Sequence, residues 1–148
     1  MENDRVDGRV AQILLVDDRP ENLKILRDVL SPEGYRILIA NSGAAALWIA
    51  AGRGPDLILL DVVMPEMNGY EACRRLKEDG QTGDIPVIFI TARGDKESLL
   101  QGFAAGGVDY IAKPFAAEEV LARVRTHLEN SRLTRTMLQK NAEVQATN

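Results

Sequence analysis

Four of the five apolar runs in this 148-residue chain end in a side chain that could do chemistry. Asp17 and Asp18 follow the first run, Asp61 follows the central run, and Thr91 and Lys113 follow the last two. Three carboxylates at one place repel each other and stay ionised together only beside a cation, and hard oxygen ligands suit Mg²⁺. A lysine and a hydroxyl near that ion would bind phosphoryl oxygens, and a carboxylate can act as a nucleophile. Asp61, which stands alone after its run, is the best candidate for the nucleophile.

These side chains can meet only if the runs form a parallel sheet. Unbroken apolar runs are typical of strands that are buried on both faces, as in parallel sheets. Strand and helix patterns alternate five times, which predicts right-handed crossovers and helices on both faces of the sheet. The carboxyl ends of parallel strands lie at one edge, where α/β proteins bind their ligands. The predicted strands are Ile13–Val16, Tyr35–Ala40, Leu57–Leu60, Ile85–Ile90 and Val108–Ala112.

The last helical pattern is longer than the domain requires. From about Ala116 past Asn141 a helix would be roughly 40 Å long, so the segment after about Arg132 is expected to project from the core. The helix carries a weak heptad seam, half of it polar, which favours a solvated helix or linker and leaves a dimer contact open. The seam consists of Leu121, Val124, Leu128, Ser131, Arg135, Leu138, Ala142 and Gln145.

Composition limits the function classes. Hydrophobic residues make up 45% of the chain, enough for a core, and the net charge of −4 argues against a nucleic-acid surface. The single cysteine, Cys73, cannot form an internal disulfide and suits a reducing, cytoplasmic location. No run is long and apolar enough to cross a bilayer. We expect a flexible segment over residues 1–11, one domain over 12–131, and a helical extension or linker over 132–148.

Five motifs in register give the chain a family resemblance from about Ile13 to Leu128. It resembles the receiver domain of bacterial response regulators, the CheY-like family of two-component signalling. The motifs are Asp17-Asp18, Asp61, the spacing Asp61-x3-Pro65-x3-Gly69, Thr91-Ala92, and Lys113-Pro114-Phe115. The resemblance implies a flavodoxin-like doubly wound sheet of (βα)5 type with strand order 2-1-3-4-5, here with an extended C-terminal helix.

The resemblance also implies a metal-dependent phosphorylation site. Asp61 would accept a phosphoryl group from a histidine kinase or a small phosphodonor. Mg²⁺ would be bound by Asp61, by Asp18 directly, by Asp17 through water, and by the backbone carbonyl of Val63.

A second set of residues would respond to the phosphoryl group. Lys113 would pair with Asp61 and then with the phosphoryl oxygens, and Thr91 would turn its hydroxyl onto the group, with room left by the small Ala92. Tyr110 matches the family's switch aromatic, and the resemblance implies a cis Lys113–Pro114 peptide bond.

The leading hypothesis is therefore a switch module that is not itself an enzyme. Its partners would be a sensor histidine kinase or phosphotransfer protein, an effector domain or partner protein, and a second copy through the face of the fourth and fifth helices or through the last helix. An aspartyl-phosphate phosphatase is the alternative, but Val63 stands where such an enzyme has its second Asp. A nucleotide- or flavin-binding module ranks last, because no glycine-rich phosphate loop follows the first strand.

Plainer interpretations exist for several of these residues. Asp17 and Asp18 could cap the next helix, Lys113 could be a solvated surface lysine, and Tyr110 could be a packing residue.

The sequence assigns no chemistry to three further residues. Cys73 is expected to be a small buried hydrophobe, His127 a surface residue of the last helix, and Trp48 a filler beside its neighbouring alanines.

Overall fold

The domain is built on a five-stranded parallel sheet. The computed structural model describes residues 5–6, 9–92 and 94–146, with side chains for 9–92 and 94–134. A small antiparallel ladder joins β1 (Arg5–Val6) and β2 (Arg9–Val10) ahead of the sheet. The strands of the sheet are β3 (Gln12–Val16), β4 (Arg36–Ala40), β5 (Leu57–Asp61), β6 (Val87–Thr91) and β7 (Asp109–Ala112), and the helices are α1 (Pro20–Leu30), α2 (Gly43–Arg53), α3 (Gly69–Glu78), α4 (Lys96–Ala104) and α5 (Ala117–Ala146).

The observed topology confirms the predicted one. The strand order is β4-β3-β5-β6-β7, which is 2-1-3-4-5 when the strands of this sheet alone are counted. The fourth predicted strand begins two residues later than expected, at Val87. Pro86 has no N–H to donate to a neighbouring strand, and its carbonyl accepts from Ile58 at the margin of the sheet.

Two apolar layers cover the sheet, and side chains alternate between them along each strand. One layer lies under α1 and α5, and we call it the α1/α5 face; its strand residues are Ile13, Leu15, Leu57, Leu59, Ile88, Ile90 and Ile111. The other, the α2–α4 face, takes the intervening residues Leu14, Val16, Ile58, Leu60, Val87 and Phe89. Both faces are buried, which explains why the strands are continuous apolar runs in the sequence.

Local signals set where the helices begin and end. Pro20 occupies the first turn of α1, and after a 3-10 turn over Ser31–Glu33 the chain reverses at Gly34, whose φ is 95°. The hydroxyl of Ser42 accepts a hydrogen bond from the backbone N–H of Ala45 and caps α2. These signals place both helix starts directly after the ends of β3 and β4.

Helix α5 is long, as its sequence predicted. It has 30 residues and is therefore about 45 Å long. Leu121, Val124 and Leu128 pack on the α1/α5 face, so this part of the heptad seam is used within the domain. Arg135, Leu138, Ala142 and Gln145 of the seam lie outside the residues whose side chains are described. Among the described helices, none is long and apolar enough to cross a membrane.

Residues 9–11 contact the body of the domain, unlike the loose segment predicted from the sequence. Arg9 donates two hydrogen bonds, of 2.8 and 2.6 Å, to the carboxylate of Asp56, which lies just before β5. Asp56 also accepts from the backbone N–H of Gln12, and Ala11 is fully buried. The ion pair fixes the chain entering β3 to the chain entering β5.

Two expectations about single residues were wrong, and one was confirmed. Trp48 does not fill a gap, because 81% of it is exposed. His127 is largely buried, and its Nε2 lies 2.8 Å from Asp109 Oδ2 at the start of β7. Cys73 is fully buried, and burial raises the pKa of its thiol to about 11, which keeps the thiol protonated and unreactive.

The approach of α4 and the following turn to β6 leaves no room for a side chain at Gly107. A Cβ there would lie 2.4 Å from Phe89 Cε2 and 3.2 Å from the carbonyl oxygen of Gly102. We expect Gly107→Ala to lower the free energy of unfolding by about 1–3 kcal/mol, because the buried ring must shift. Urea denaturation measures the change.

Gly52 provides the matched control. A Cβ at Gly52 meets nothing within 4 Å, and the residue lies near the end of α2. Gly52→Ala should leave stability unchanged or raise it by up to about 1 kcal/mol, because alanine favours the helix. Equal losses in both variants would contradict the close contact at Gly107.

Candidate functional site

The carboxyl ends of β3, β5 and β7 bring Asp17, Asp61 and Lys113 together. Lys113 Nζ lies 3.3 Å from Asp17 Oδ2 and 3.4 Å from Asp61 Oδ1. Asp61 is the last residue of β5, whereas Asp17 and Lys113 each directly follow a strand. All three continue the alternation that directs Ile13, Leu57 and Ile111 to the α1/α5 face. The cluster therefore lies at one edge of the sheet and on one side of it.

Asp17 is held by several donors at once. Only 2% of it is exposed, and its Oδ1 accepts from the backbone N–H of Arg19 at 2.9 Å. Its Oδ2 accepts from the Nδ2 of Asn22 at 3.1 Å and from Lys113. The residue at the N-cap of α1 is Arg19, and no side chain caps that helix. Asp17 therefore faces the site and does not serve as the helix cap that the plainer interpretation assigned to it.

Asp61 carries an unfavourable charge. It is buried, and burial raises the pKa of its carboxyl group; the negative charge of Asp17 raises it further. The positive charge and hydrogen bond of Lys113 act in the opposite direction but do not reverse the shift. Lys113 itself is only partly exposed and contacts two carboxylates, so it is not a solvated surface lysine. The site holds more negative charge than its lysine neutralises.

The three carboxylates could hold a metal ion. One carboxylate oxygen from each of Asp17, Asp18 and Asp61 lies within 4.8 Å of the other two, and Asp18 is partly exposed. Burial and, after it, the negative charge of Asp17 raise the pKa of Asp61, and the all-oxygen donor set suits Mg²⁺. The residues present therefore fit this ion. A ligand role for the backbone carbonyl of Val63 stays a prediction.

Thr91 and Tyr110 lie on the other side of the sheet, toward the α2–α4 face. Thr91 is fully buried at the end of β6, and its carbonyl accepts from the N–H of Lys113 at 2.8 Å. Tyr110 pairs with Phe89 in the register of β6 and β7, two residues before the position that pairs with Thr91. Its hydroxyl is buried with no hydrogen-bond partner among the described residues, and burial raises its pKa. Ala92 is exposed beyond the strand end. Switch roles for these residues stay predictions.

Two backbone features fix the loops around the site. The Lys113–Pro114 peptide bond is cis, the conformation that the resemblance implies. Gly69 packs against the backbone of Asp61 so closely that a Cβ would lie 2.3 Å from the Asp61 carbonyl oxygen, and its N–H donates to the carbonyl of Val62 at 2.8 Å. Glycine at the end of the Asp-x3-Pro-x3-Gly motif therefore lets α3 begin directly beside the candidate nucleophile.

Two contacts in the site were missed by sequence reasoning. The pairing of Lys113 with Asp17, in addition to Asp61, was not expected, and Asn22 was not considered at all. The only signal for Asn22 is its place in the first turn of α1, five residues after Asp17. A polar residue in a first helical turn usually indicates nothing more than helix-start chemistry.

Comparisons with known proteins match the chain to one family. A family model described as the response regulator receiver domain matches residues 13–125. The chain is 44% identical over 129 residues to a Vibrio cholerae protein named "Probable cyclic di-GMP phosphodiesterase", and these residues cover 87% of this chain and 29% of that protein. It is 42% identical over 121 residues to the response regulator MprA of Mycobacterium leprae, with 82% of this chain and 52% of that protein covered. The chain thus spans about half or less of the curated relatives' length.

The chain is also similar in fold to a solved structure. The chemotaxis protein CheY4 of Vibrio cholerae superposes with a TM-score of 0.75 at 29% identity, covering 78% of this chain and 97% of that one.

The raised pKa of Asp61 predicts a pH-dependent stability. Because folded Asp61 binds a proton more readily than unfolded Asp61, the free energy of unfolding falls as the pH rises from the ordinary pKa of 3.8 through the folded pKa. Without Mg²⁺, Asp61→Asn should therefore be more stable than the wild type at about pH 7.5, and its advantage should shrink toward about pH 4.5. Urea denaturation in EDTA at both pH values measures this. An asparagine variant that is less stable at neutral pH would contradict the charge balance described above.

Proposed function

The chain belongs to the response regulator receiver domain family, and from this premise we propose that Asp61 accepts a phosphoryl group in a Mg²⁺-dependent reaction and that phosphorylation switches the domain. The domain is a receiver of a response regulator, as used in two-component signalling. The observation that carries the proposal is the contact of one lysine, Lys113, with two buried carboxylates, Asp17 and Asp61.

The chemistry proposed for Asp61 is nucleophilic attack. Its carboxylate oxygen attacks the phosphorus of a phosphohistidine or of a small acyl phosphate. A new P–O bond forms while the bond from phosphorus to the donor's nitrogen or oxygen breaks, and the leaving group keeps the electron pair. The raised pKa of Asp61 reflects a carboxylate whose charge is poorly compensated, and such a carboxylate is more basic than a solvated one.

The positive charge of Lys113 supports this step. Its ammonium group already lies within 3.4 Å of Asp61 Oδ1 and can follow the charge onto the phosphoryl oxygens. Asp17, Asp18 and Asp61 would hold Mg²⁺, and when bound this ion would neutralise charge on the phosphoryl oxygens. Asp17 keeps the lysine at the site through its own contact of 3.3 Å.

The proposed switch follows from the added charge. A phosphoryl group brings about two negative charges and three acceptor oxygens to the end of β5. These attract Lys113 and the hydroxyl of Thr91, and they bias an existing equilibrium between two arrangements. Tyr110 would respond because it shares the α2–α4 face with Thr91 and its buried hydroxyl has no partner among the described residues. The responding surface would comprise α4, β7 and α5.

The partners in this proposal follow from the family. A sensor histidine kinase or a phosphotransfer protein supplies the phosphoryl group, and an effector domain or partner protein reads the responding surface. Relatives such as MprA are about twice as long as the matched region, which supports an effector in the same polypeptide. We also propose that the domain forms a homodimer through the α4–α5 face and that the protein is cytoplasmic.

A labelling experiment tests the phosphorylation site. Incubation with acetyl phosphate and Mg²⁺ should add one phosphoryl group to the wild-type chain and none to Asp61→Asn, as measured by intact-protein mass spectrometry. Asp28→Asn, a change at an exposed carboxylate of α1, should label normally. Persistent labelling of Asp61→Asn would refute the assignment. Steady release of phosphate from several monoesters would instead favour the phosphatase alternative.

A second experiment tests the role of Lys113. Lys113→Met keeps most of the side-chain volume but removes the charge, and we expect phosphorylation by acetyl phosphate to slow on the order of 100-fold, the effect of losing one preorganised donor. Lys96→Met, at an exposed lysine of α4, should leave the rate unchanged. Stopped-flow or quenched-flow labelling gives both rates. A Lys113→Met rate within about twofold of the wild type would exclude the lysine from the reaction.

A further inference from the structure

The carboxylate of Asp17 accepts three hydrogen bonds from the protein. Its Oδ1 accepts from the backbone N–H of Arg19, and its Oδ2 accepts from both Asn22 Nδ2 and Lys113 Nζ. These contacts come from three places: the loop after β3, the first turn of α1, and the loop after β7. Asp17 thus has one fixed orientation, and Asn22 is the side chain that joins this orientation to α1.

We propose that Asn22 is a positioning residue for the metal site. Its amide fixes the rotamer of Asp17 and so fixes where the negative charge of Asp17 lies relative to the Mg²⁺ site. The inference rests on the proposed function only in assigning Mg²⁺ to Asp17, Asp18 and Asp61. Asn22 itself is not a ligand, because it acts through the carboxylate to which it donates.

The chemistry of an amide suits this task. Lys113 and Asn22 donate to the same oxygen of Asp17, at 3.3 and 3.1 Å. A neutral donor fixes the carboxylate without cancelling its charge, so the attraction for a divalent cation is kept. A second cation at this position would neutralise the site, whereas an apolar residue would leave the carboxylate free to turn toward Lys113. That movement would draw Lys113 away from Asp61, which lies 3.4 Å from the same ammonium group.

The location of Asn22 makes the constraint rigid. The residue is partly buried, and its backbone N–H donates to the carbonyl of Arg19 at 3.1 Å within the first turn of α1. The next residue, Leu23, is buried in the α1/α5 core and fixes the rotation of the helix. The amide therefore points at Asp17 because the core sets the direction of α1.

A double-mutant cycle with the metal alone tests the proposal. The full chain is titrated with MgCl₂ in an isothermal titration calorimeter. We expect Asn22→Leu to raise the Mg²⁺ Kd about tenfold, which is at the lower end of the effect of removing a hydrogen-bond partner of a metal ligand. In an Asp17→Asn background the same change should alter the Kd less than about twofold, because the carboxylate that it positions is absent. Thermal unfolding in EDTA confirms that each variant is folded, and Asn22→Ser replaces Asn22→Leu if the latter does not fold.

Several outcomes would overturn the inference. Unchanged or tighter binding in Asn22→Leu would do so, as would an equal loss in both backgrounds, which indicates a general structural effect. Absence of Mg²⁺ binding in the wild type would also overturn it. Asn130→Leu makes the same chemical change at an exposed position of α5 and should leave the Kd unchanged. The titration contains no phosphodonor, so the Mg²⁺ Kd can be measured whether or not Asp61 can be phosphorylated.

Discussion

The candidate site depends on a single ammonium group that faces two buried carboxylates. Lys113 cannot neutralise both Asp17 and Asp61, and the nearby Asp18 adds a third negative group. Burial of these charges is unfavourable, since each has lost part of its hydration. Burial raises the pKa of Asp61 and the negative charge of Asp17 raises it further, and the uncompensated charge is what a bound cation would offset.

The sheet makes this unfavourable arrangement possible. Three parallel strands end at one edge, and the alternation of side chains directs all three charged groups to the α1/α5 face. Two apolar layers, buried on both sides of the strands, provide the stability that offsets the crowded charges. Gly69 contributes in a different way, because only a residue without a side chain lets the backbone of α3 approach Asp61.

Much of this architecture could be predicted from the sequence, because its signals are local. Apolar runs such as Leu57–Leu60 show burial on both faces, and the reactive side chains after four of the five runs mark the edge where ligands bind. The contact of Lys113 with Asp61 could be expected for the same reason, since parallel strands have only one carboxyl edge. The order of the strands came from the family resemblance, and the structure has the same order.

The features that escaped prediction depend on how elements pack in three dimensions. Whether Asn22 points toward Asp17 is decided by the rotation of α1, which is set by distant core residues. Trp48 is exposed and His127 is largely buried because of the faces that α2 and α5 present, and the short alanine-rich and mixed patterns around them do not reveal those faces. The ion pair of Arg9 with Asp56 joins residues 47 apart, a separation at which a single sequence gives no sign of contact.

The carboxylate of Asp109 connects β7 to α5 through its polar contacts. It accepts hydrogen bonds from the N–H of Tyr110 and from Arg123, and it lies 2.8 Å from His127, so the strand and two successive turns of the helix move together. Beyond Leu128 the helix continues for about 27 Å at 1.5 Å per residue. A tilt of about 5° at the turns of α5 that contact Asp109 would displace the far end of the helix by about 2 Å. Any small rearrangement of β7 would therefore be magnified at the far end of α5.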